Sequence, residues 1–217
     1  MIDYAAARTT MVDTQVRPSD VTRYPIIAAM LEIPREQFVP TEAKPIAYAD
    51  DPIELSAERS ILAPRTLAKM IDALELGKND LVLDIGPAHG YSTAVLARIA
   101  GTIVGVEEDE SLARSAAETL SEIGVDNAII ENRPLVEGAP EHGPFDVIVL
   151  QGAAETLPDA LVAQLREDGR IVMLKAEGVL CYAVLGVKGA AGISWRRIFD
   201  AAAPVLPGFS AERGFLF

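Results

Sequence analysis

The chain alternates short apolar runs with segments whose apolar residues recur at helical spacing. The runs that are short enough for buried strands are residues 81–85, 102–107, 128–130, 145–150 and 169–174. Helical spacing covers residues 92–99, 111–123 and 157–165. Alternating strands and helices predict an α/β fold with a mainly parallel sheet and helices on both faces.

The two ends of the chain depart from this alternation. Near the C-terminus, apolar runs at 180–187 and 195–203 flank a glycine-rich segment, which predicts a closing antiparallel hairpin. Near the N-terminus, helical patterns at 4–13 and 24–31 precede four prolines, which exclude a long helix over the segment that contains Pro34, Pro40, Pro45 and Pro52. We interpret the first 60 or so residues as a cap over the carboxyl edge of the sheet.

The turn after the first buried strand carries the most informative residues. Asp84 lies at the end of this strand, and Gly86 and Gly90 follow at the start of a helix. Glycines permit a sharp turn and let a ligand lie against the backbone, at the positive end of the helix dipole. The spacing G-x-x-x-G differs from the G-x-G-x-x-G of dinucleotide enzymes. The turn therefore favours a nucleoside over NAD or FAD.

Glu107 closes the next strand, so it is expected at the same crevice as Asp84. In doubly wound sheets a carboxylate at this place accepts hydrogen bonds from ribose hydroxyls. The alternative is a solvated acidic cluster over residues 107–110 that leads into a helix, with Asp109 as its N-cap. We favour the ribose role for Glu107 because this residue ends an otherwise apolar strand.

Composition narrows the possible partners. The 217 residues suffice for one well-buried domain, and 32 acidic against 19 basic residues give a net charge of −13, which disfavours nucleic acid. The sequence predicts no membrane span and no signal peptide, so we expect a cytoplasmic protein. The lone cysteine, Cys181, is expected to be an inert thiol, and His89 and His142 are too far apart in sequence to favour a metal site.

Several motifs resemble the protein-L-isoaspartate O-methyltransferases, which use S-adenosylmethionine. The likeness runs from about residue 11 to about residue 209. The most specific matches lie in the N-terminal region, at residues 11–12, 15–17, 33–40 (IPREQFVP) and 47–52 (AYADDP). Matches that are shared more widely among methyltransferases lie in the sheet, at residues 83–86 (LDIG), 90–91, 104–107 (VGVE), 145–148 (FDVI) and 153–154.

The resemblance implies a Rossmann-like class I methyltransferase fold, with a seven-stranded sheet whose last strand is inserted antiparallel. It divides the chain into an N-terminal cap and substrate-loop region at 1–62 and a compact cofactor-binding domain at 63–217. It also implies contacts to S-adenosylmethionine. The methionine part would lie by Asp84, Gly86 and Gly90, and the ribose would lie by Glu107. The adenine would lie by Glu131 or Asn132, and the sulfonium by Gln151.

The implied activity is methyl transfer to a carboxylate of damaged proteins, so the partner would be a protein or peptide carboxylate. The loop that should hold this acceptor departs from the family pattern G-x-G-Q-T-I-S-x-P, since residues 56–64 read SAERSILAP. Leu62 stands in place of the serine and Arg59 in place of the glutamine. The candidate acceptor-loop residues are Arg59, Ser60, Leu62 and Arg65.

Either of two arginines, Arg59 or Arg65, could grip a carboxylate in place of the missing hydroxyl. Alternatively, both are solvated or pair with nearby acids, namely Asp50, Asp51 or Glu58. Two other functions also stay open at this point: a related methyltransferase with another acceptor, and a cofactor-binding homologue without transfer activity. The sequence leaves the oligomeric state undetermined.

Overall fold

A computed structural model describes residues 2–211. Within this range the strands are β1 Ile53–Ser56, β2 Arg59–Ile61, β3 Leu81–Ile85, β4 Thr102–Glu107, β5 Ala128–Asn132, β6 Phe145–Ala154, β7 Leu165–Glu177, β8 Leu180–Gly189 and β9 Gly192–Asp200. The α-helices are α1 Tyr4–Met11, α2 Tyr24–Glu32, α3 Pro64–Leu74, α4 Tyr91–Ala97, α5 Glu110–Glu122 and α6 Asp159–Gln164.

Seven strands form one sheet in the order β5-β4-β3-β6-β7-β8-β9, and β1 pairs with β2 in a separate hairpin. The strands β5, β4, β3, β6 and β7 are parallel, whereas β8 and β9 pair antiparallel. This confirms the predicted class I methyltransferase sheet with an antiparallel finish. The last strand, however, lies at the edge and is not inserted, because the short link between Gly189 and Gly192 can join only neighbouring strands.

Element boundaries follow the predicted pattern with two informative differences. The strand predicted to end at Leu150 continues to Ala154, past a register shift, because these residues remain buried beside β7. The predicted N-terminal helix ends at Met11 and continues as a π-helical turn, Val12–Val16. Asp109 is the N-cap of α5, as predicted, since its carboxylate accepts hydrogen bonds from the amides of the first turn.

Alternate residues of the strands fill two apolar layers, one on each face of the sheet. The first layer packs under α3 and α4 and contains, among others, Val82, Val147 and Val172. The second packs under α6 and a C-terminal segment and contains, among others, Leu83, Ile148 and Ile171. Helices on both faces were predicted. Because alternate residues of each strand are apolar on both faces, each face needs a covering layer.

The N-terminal segment takes a different place from the one expected. Helix α2 packs against α3 and α4 on the first face of the sheet, and buried residues of α1 and α2 belong to the same apolar layer. The part that reaches the carboxyl edge is the β1–β2 hairpin. The boundary between 62 and 63 stays a prediction, and the last six residues of the proposed second unit lie outside the described range. No helix of residues 2–211 is long and apolar enough to cross a bilayer.

Arg35 anchors the N-terminal segment to the rest of the molecule. Its side chain is fully buried, its Nε donates to the carbonyl of Ala47 at 2.7 Å, and its Nη2 donates to the carbonyl of Leu62 at 2.9 Å. The guanidinium carbon lies 4.6 Å from the ring centroid of Tyr91, where a cation–π interaction is favourable. Burial lowers the pKa of Arg35, and the neighbouring Tyr91 opposes this effect.

We expect Arg35→Ala to lower the free energy of unfolding by about 3 to 5 kcal/mol, because two buried carbonyls lose their donor and a large side chain leaves the core. Urea denaturation followed by circular dichroism measures the loss. The matched control is Arg17→Ala, which removes an exposed arginine from an i,i+4 pair with Asp13 and should change stability by less than about 0.5 kcal/mol. A similar small change for both variants would contradict the anchoring role.

Candidate cofactor and acceptor site

Three buried polar side chains meet at the carboxyl edge of the sheet. Asp84, Glu107 and Gln151 lie at or near the ends of β3, β4 and β6, and each is at most 5% exposed. Strand β3 lies between β4 and β6, so the three ends are adjacent. The convergence expected of Asp84 and Glu107 is therefore present.

Asp84 ties the first turn of α4 to the end of β6. Its Oδ2 accepts hydrogen bonds from the hydroxyls of Ser92 at 2.7 Å and Thr93 at 2.8 Å, and its Oδ1 accepts one from the Gln151 amide at 2.6 Å. Burial raises the pKa of Asp84 to about 6, and the charge of Glu107 adds to the rise, whereas the three hydrogen bonds oppose it. Gln151 thus lies beside Asp84, and its predicted position by the sulfonium stays a prediction.

The turn between β3 and α4 needs its glycines. Gly86 and Gly90 have φ values of 74° and 93°, in the region that only glycine adopts without strain. A Cβ on Gly90 would also lie 3.0 Å from the Cβ of Ala116, so this glycine lets α4 and α5 pack closely. The turn aims the amide of Ala88 at Oε2 of Glu107, at 2.9 Å.

Glu107 is bound by an arginine of the β1–β2 hairpin. Arg59 donates from Nη1 to Oε1 at 2.6 Å and from Nη2 to Oε2 at 2.5 Å, and Nη2 also donates to the carbonyl of Gly86 at 3.1 Å. Glu107 is fully buried, and the Arg59 side chain is 8% exposed. Of the pairings considered for Arg59 from sequence, an acceptor carboxylate or the acids at 50, 51 and 58, this conformation realises none.

The space at the turn is small in this conformation. The cavity that touches Gly86, Ser92 and Gln151 measures about 10 Å³. A Cβ on Gly86 would lie 3.5 Å from both Arg59 Nη2 and Leu206 Cδ2, so these two side chains cover the turn. Sites for drug-sized ligands and cofactors usually measure about 300–1,000 Å³. The carboxylate acceptors suit a nucleoside, but in this conformation Arg59 and Leu206 fill the space beside Gly86.

The residues predicted beside the adenine have local partners. Asn132 donates from Nδ2 to the carbonyls of Glu107 at 2.9 Å and Glu108 at 3.1 Å, so it closes the end of β4. Glu131 lies 3.1 Å from Nε2 of His142. Neither contact tests the adenine role, which stays a prediction for both residues.

The acceptor-loop candidates separate into two pairs. Leu62 and Ser60 are buried, the first with its carbonyl bound by Arg35, the second with a hydroxyl that has no hydrogen-bond partner among residues 2–211. Arg65 is half exposed and pairs with Asp50 at 3.0 Å, which is the alternative weighed for it from sequence. Arg59 is the one candidate whose charge enters the crevice.

Sequence reasoning missed the C-terminal segment beyond β9. The carbonyl of Pro204 accepts from the amide of Ala153, and the amide of Leu206 donates to the carbonyl of the same alanine, each at 2.9 Å. This segment brings the Leu206 side chain over Gly86 and Gly152. Its sequence, APVLPG at residues 203–208, has no periodicity that would indicate such a position. Serine and threonine in the first turn of α4 were an available signal for the partners of Asp84.

The raised pKa of Asp84 predicts a pH signature in stability. Between the unfolded pKa of 3.8 and the folded value of about 6, the folded state holds a proton that the unfolded state has lost, so stability falls as pH rises. From pH 5 to pH 7.5, Asp84→Asn should therefore gain about 1 kcal/mol of stability relative to wild type. Urea titrations of both proteins measure this difference, and a pH-independent offset between them would contradict the raised pKa.

Known proteins share the sequence and fold of this chain. The family model described as protein-L-isoaspartate(D-aspartate) O-methyltransferase matches residues 7–179. The protein-L-isoaspartate O-methyltransferase 2 of Pelobacter propionicus is 37% identical over 166 residues, which cover 76% of this chain and 74% of the relative. The protein-L-isoaspartate O-methyltransferase of Rhodopseudomonas palustris is 37% identical over 163 residues, 75% of each chain.

Solved structures agree with these relatives. One protein-L-isoaspartate O-methyltransferase superposes with a TM-score of 0.81 at 25% identity, over 93% of this chain and 66% of its own. A Plasmodium falciparum protein assigned to the same activity, in complex with S-adenosyl-L-homocysteine, gives a TM-score of 0.78 at 21% identity, over 95% of this chain and 99% of its own.

The family match includes both the N-terminal segment that Arg35 anchors and the sheet that carries Asp84 and Glu107. The relatives are more than 30% identical over about three quarters of the chain. The chain therefore belongs to the protein-L-isoaspartate(D-aspartate) O-methyltransferase family.

Proposed function

We propose that the protein transfers a methyl group from S-adenosylmethionine to the carboxylate of isoaspartyl residues in damaged proteins. The observation that carries this proposal is the family match over residues 7–179, which spans the N-terminal segment, the hairpin and most of the sheet. The family is S-adenosylmethionine-dependent. The substrate is thus a protein or peptide carboxylate.

The chemistry makes few demands on acid–base residues. S-adenosylmethionine, when bound, supplies a methyl group on a positively charged sulfur, and a carboxylate is already ionised at neutral pH. The protein's contribution is then to orient the acceptor and to exclude water, and orientation alone can supply up to about 7 to 11 kcal/mol. His89 is not required as a base, and its Nδ1 lies 2.9 Å from the Ser115 hydroxyl.

Leu62 stands at the position of the family's serine, and Ser60 is the residue best placed to supply a hydroxyl instead. Its hydroxyl is buried and has no partner within the described range, and Ser60 lines the cavity at Gly86 and Gln151. An unpaired buried hydroxyl is costly unless a ligand completes its hydrogen bonding. We assign Ser60 the role of a donor to the acceptor carboxylate.

A second candidate, a homologue without transfer activity, is favoured by one observation. Arg59 occupies both oxygens of Glu107, and the cavity beside the turn is too small for the methyl donor in this conformation. For this reason we assign no step of the reaction to the donor itself. The first candidate requires this conformation to open, whereas the second does not.

The proposed activity predicts selective labelling. With saturating tritiated S-adenosylmethionine, the wild-type protein should methylate a peptide that contains one isoaspartyl residue and leave the aspartyl twin of the same sequence unlabelled. Scintillation counting of the separated peptides measures both. Absence of label in the isoaspartyl peptide would exclude the first candidate, and equal labelling of the twins would indicate another acceptor.

The role of Ser60 predicts that Ser60→Ala lowers kcat/KM for the isoaspartyl peptide by about 10-fold to 100-fold, because one hydrogen bond to a charged group is lost. The matched control is Ser121→Ala, which removes an exposed hydroxyl near the end of α5, outside the acceptor loop, and should leave kcat/KM unchanged. Unchanged kinetics for Ser60→Ala would remove Ser60 from the acceptor site.

A further inference from the structure

Arg59 binds Glu107 in the way that a ligand with paired hydrogen-bond donors would bind it. The guanidinium donates to both carboxylate oxygens and to the carbonyl of Gly86, at distances of 2.5 to 3.1 Å. We infer that Arg59 is an internal competitor for the cofactor site, an inference that rests on the proposed function. Its guanidinium takes the hydrogen bonds of Glu107 that a ribose would take. The cofactor binds only when Arg59 leaves Glu107.

The two competitors present the same kind of group to Glu107. A ribose offers two neighbouring hydroxyl donors to a carboxylate, and a guanidinium offers two parallel N–H donors. Each oxygen of Glu107 already accepts one backbone amide, Oε2 from Ala88 at 2.9 Å and Oε1 from Asp109 at 3.2 Å. With these amides and Arg59 in place, the carboxylate has little capacity left for a second pair of donors.

Charge favours the internal competitor. Donors of either kind form charge-assisted hydrogen bonds to the ionised carboxylate, but the guanidinium adds the Coulomb attraction of an opposite charge, which a neutral ribose hydroxyl lacks. Both partners are also buried, so water screens their attraction only weakly. The cofactor must therefore displace Arg59 with contacts beyond the ribose.

Two spaces lie near Arg59. A cavity of about 10 Å³ is lined by Ser60, Gly86 and Gln151, and a groove of about 500 Å³ is lined by Arg59 itself with Glu108 and Asp109. The guanidinium donates to the carbonyl of Gly86, so Arg59 also contacts a residue of the smaller cavity. We expect its departure to open the groove toward the turn.

An exit for Arg59 is present in the same groove. Glu108 and Asp109 line it and are exposed, so a displaced guanidinium has two carboxylates to approach without entering an apolar region. Since β2 also carries Ser60, cofactor entry and the acceptor loop are coupled through neighbouring residues of one strand.

Removal of the Arg59 guanidinium should increase the affinity for S-adenosylhomocysteine. The apparent dissociation constant falls as the fraction of protein molecules with an open cofactor site rises. Isothermal titration should show that Arg59→Gln binds S-adenosylhomocysteine at least about 10-fold more tightly than wild type, which is about 1.4 kcal/mol. Saturating ligand should also raise the melting temperature of this variant more than that of wild type.

The matched control is Arg170→Gln. Arg170 pairs with Asp80 at 2.7 Å at the amino end of the sheet, so this variant breaks a partly buried ion pair away from the site and should bind as wild type does. If Arg59→Gln does not fold, Arg59→Lys keeps one positive charge for Glu107 but cannot donate in the same bidentate way. It should bind S-adenosylhomocysteine more tightly than wild type, by a smaller factor.

Each outcome decides between the inference and the proposed function. Equal affinities of wild type and the Arg59 variants would overturn the competition and leave the methyltransferase proposal standing. No binding by any protein would overturn both. Tighter binding by the Arg59 variants without labelling of the isoaspartyl peptide would support the competition and count against the proposed activity.

Discussion

One buried ion pair governs access to the carboxyl edge of this sheet. Glu107 ends β4 without any exposure to solvent, and a carboxylate in that position must be compensated by hydrogen bonds and charge. Arg59 supplies both from the β1–β2 hairpin. Removal of one partner from a buried pair typically costs about 3 to 5 kcal/mol, so the pair holds the hairpin over the crevice as well as filling it.

The surrounding residues explain why the pair can form. The glycine turn after β3 brings the amide of Ala88 and the carbonyl of Gly86 to the same place, one for Glu107 and one for Arg59. Asp84 fixes this turn from below through the first turn of α4. The acceptors that we propose for a nucleoside thus also bind a guanidinium, since a ribose and a guanidinium both present paired hydrogen-bond donors.

Much of this arrangement was predictable from the sequence. The period of the apolar residues predicted the sheet, and the residue type and position of Asp109 predicted a helix cap. Because parallel strands end at one edge, the sequence also predicted the convergence of Asp84 and Glu107. The sequence motifs predicted the family to which the relatives belong. The contact of Arg59 was not predictable, since the sequence says only that an arginine replaces a glutamine, and its partner is 48 residues away in the chain.

Other features escaped prediction for a similar reason. Arg35 lies in a family motif, but the sequence does not reveal that tertiary packing buries it against Tyr91, and Leu206 lies in an irregular segment whose position depends on β6. Long-range partners of single side chains leave no periodic signal in one sequence. The cofactor contacts predicted for the site residues, Glu131 and Asn132 included, stay predictions.

The most direct measurement is a pair of crystal structures of the wild-type protein, one without ligand and one with S-adenosylhomocysteine. We expect the guanidinium of Arg59 to bind both oxygens of Glu107 in the first, and the ribose hydroxyls to replace it in the second, with Arg59 turned toward Glu108 and Asp109. A ligand-free structure with Arg59 away from Glu107, or a complex in which both the ribose and Arg59 bind that carboxylate, would contradict the competition.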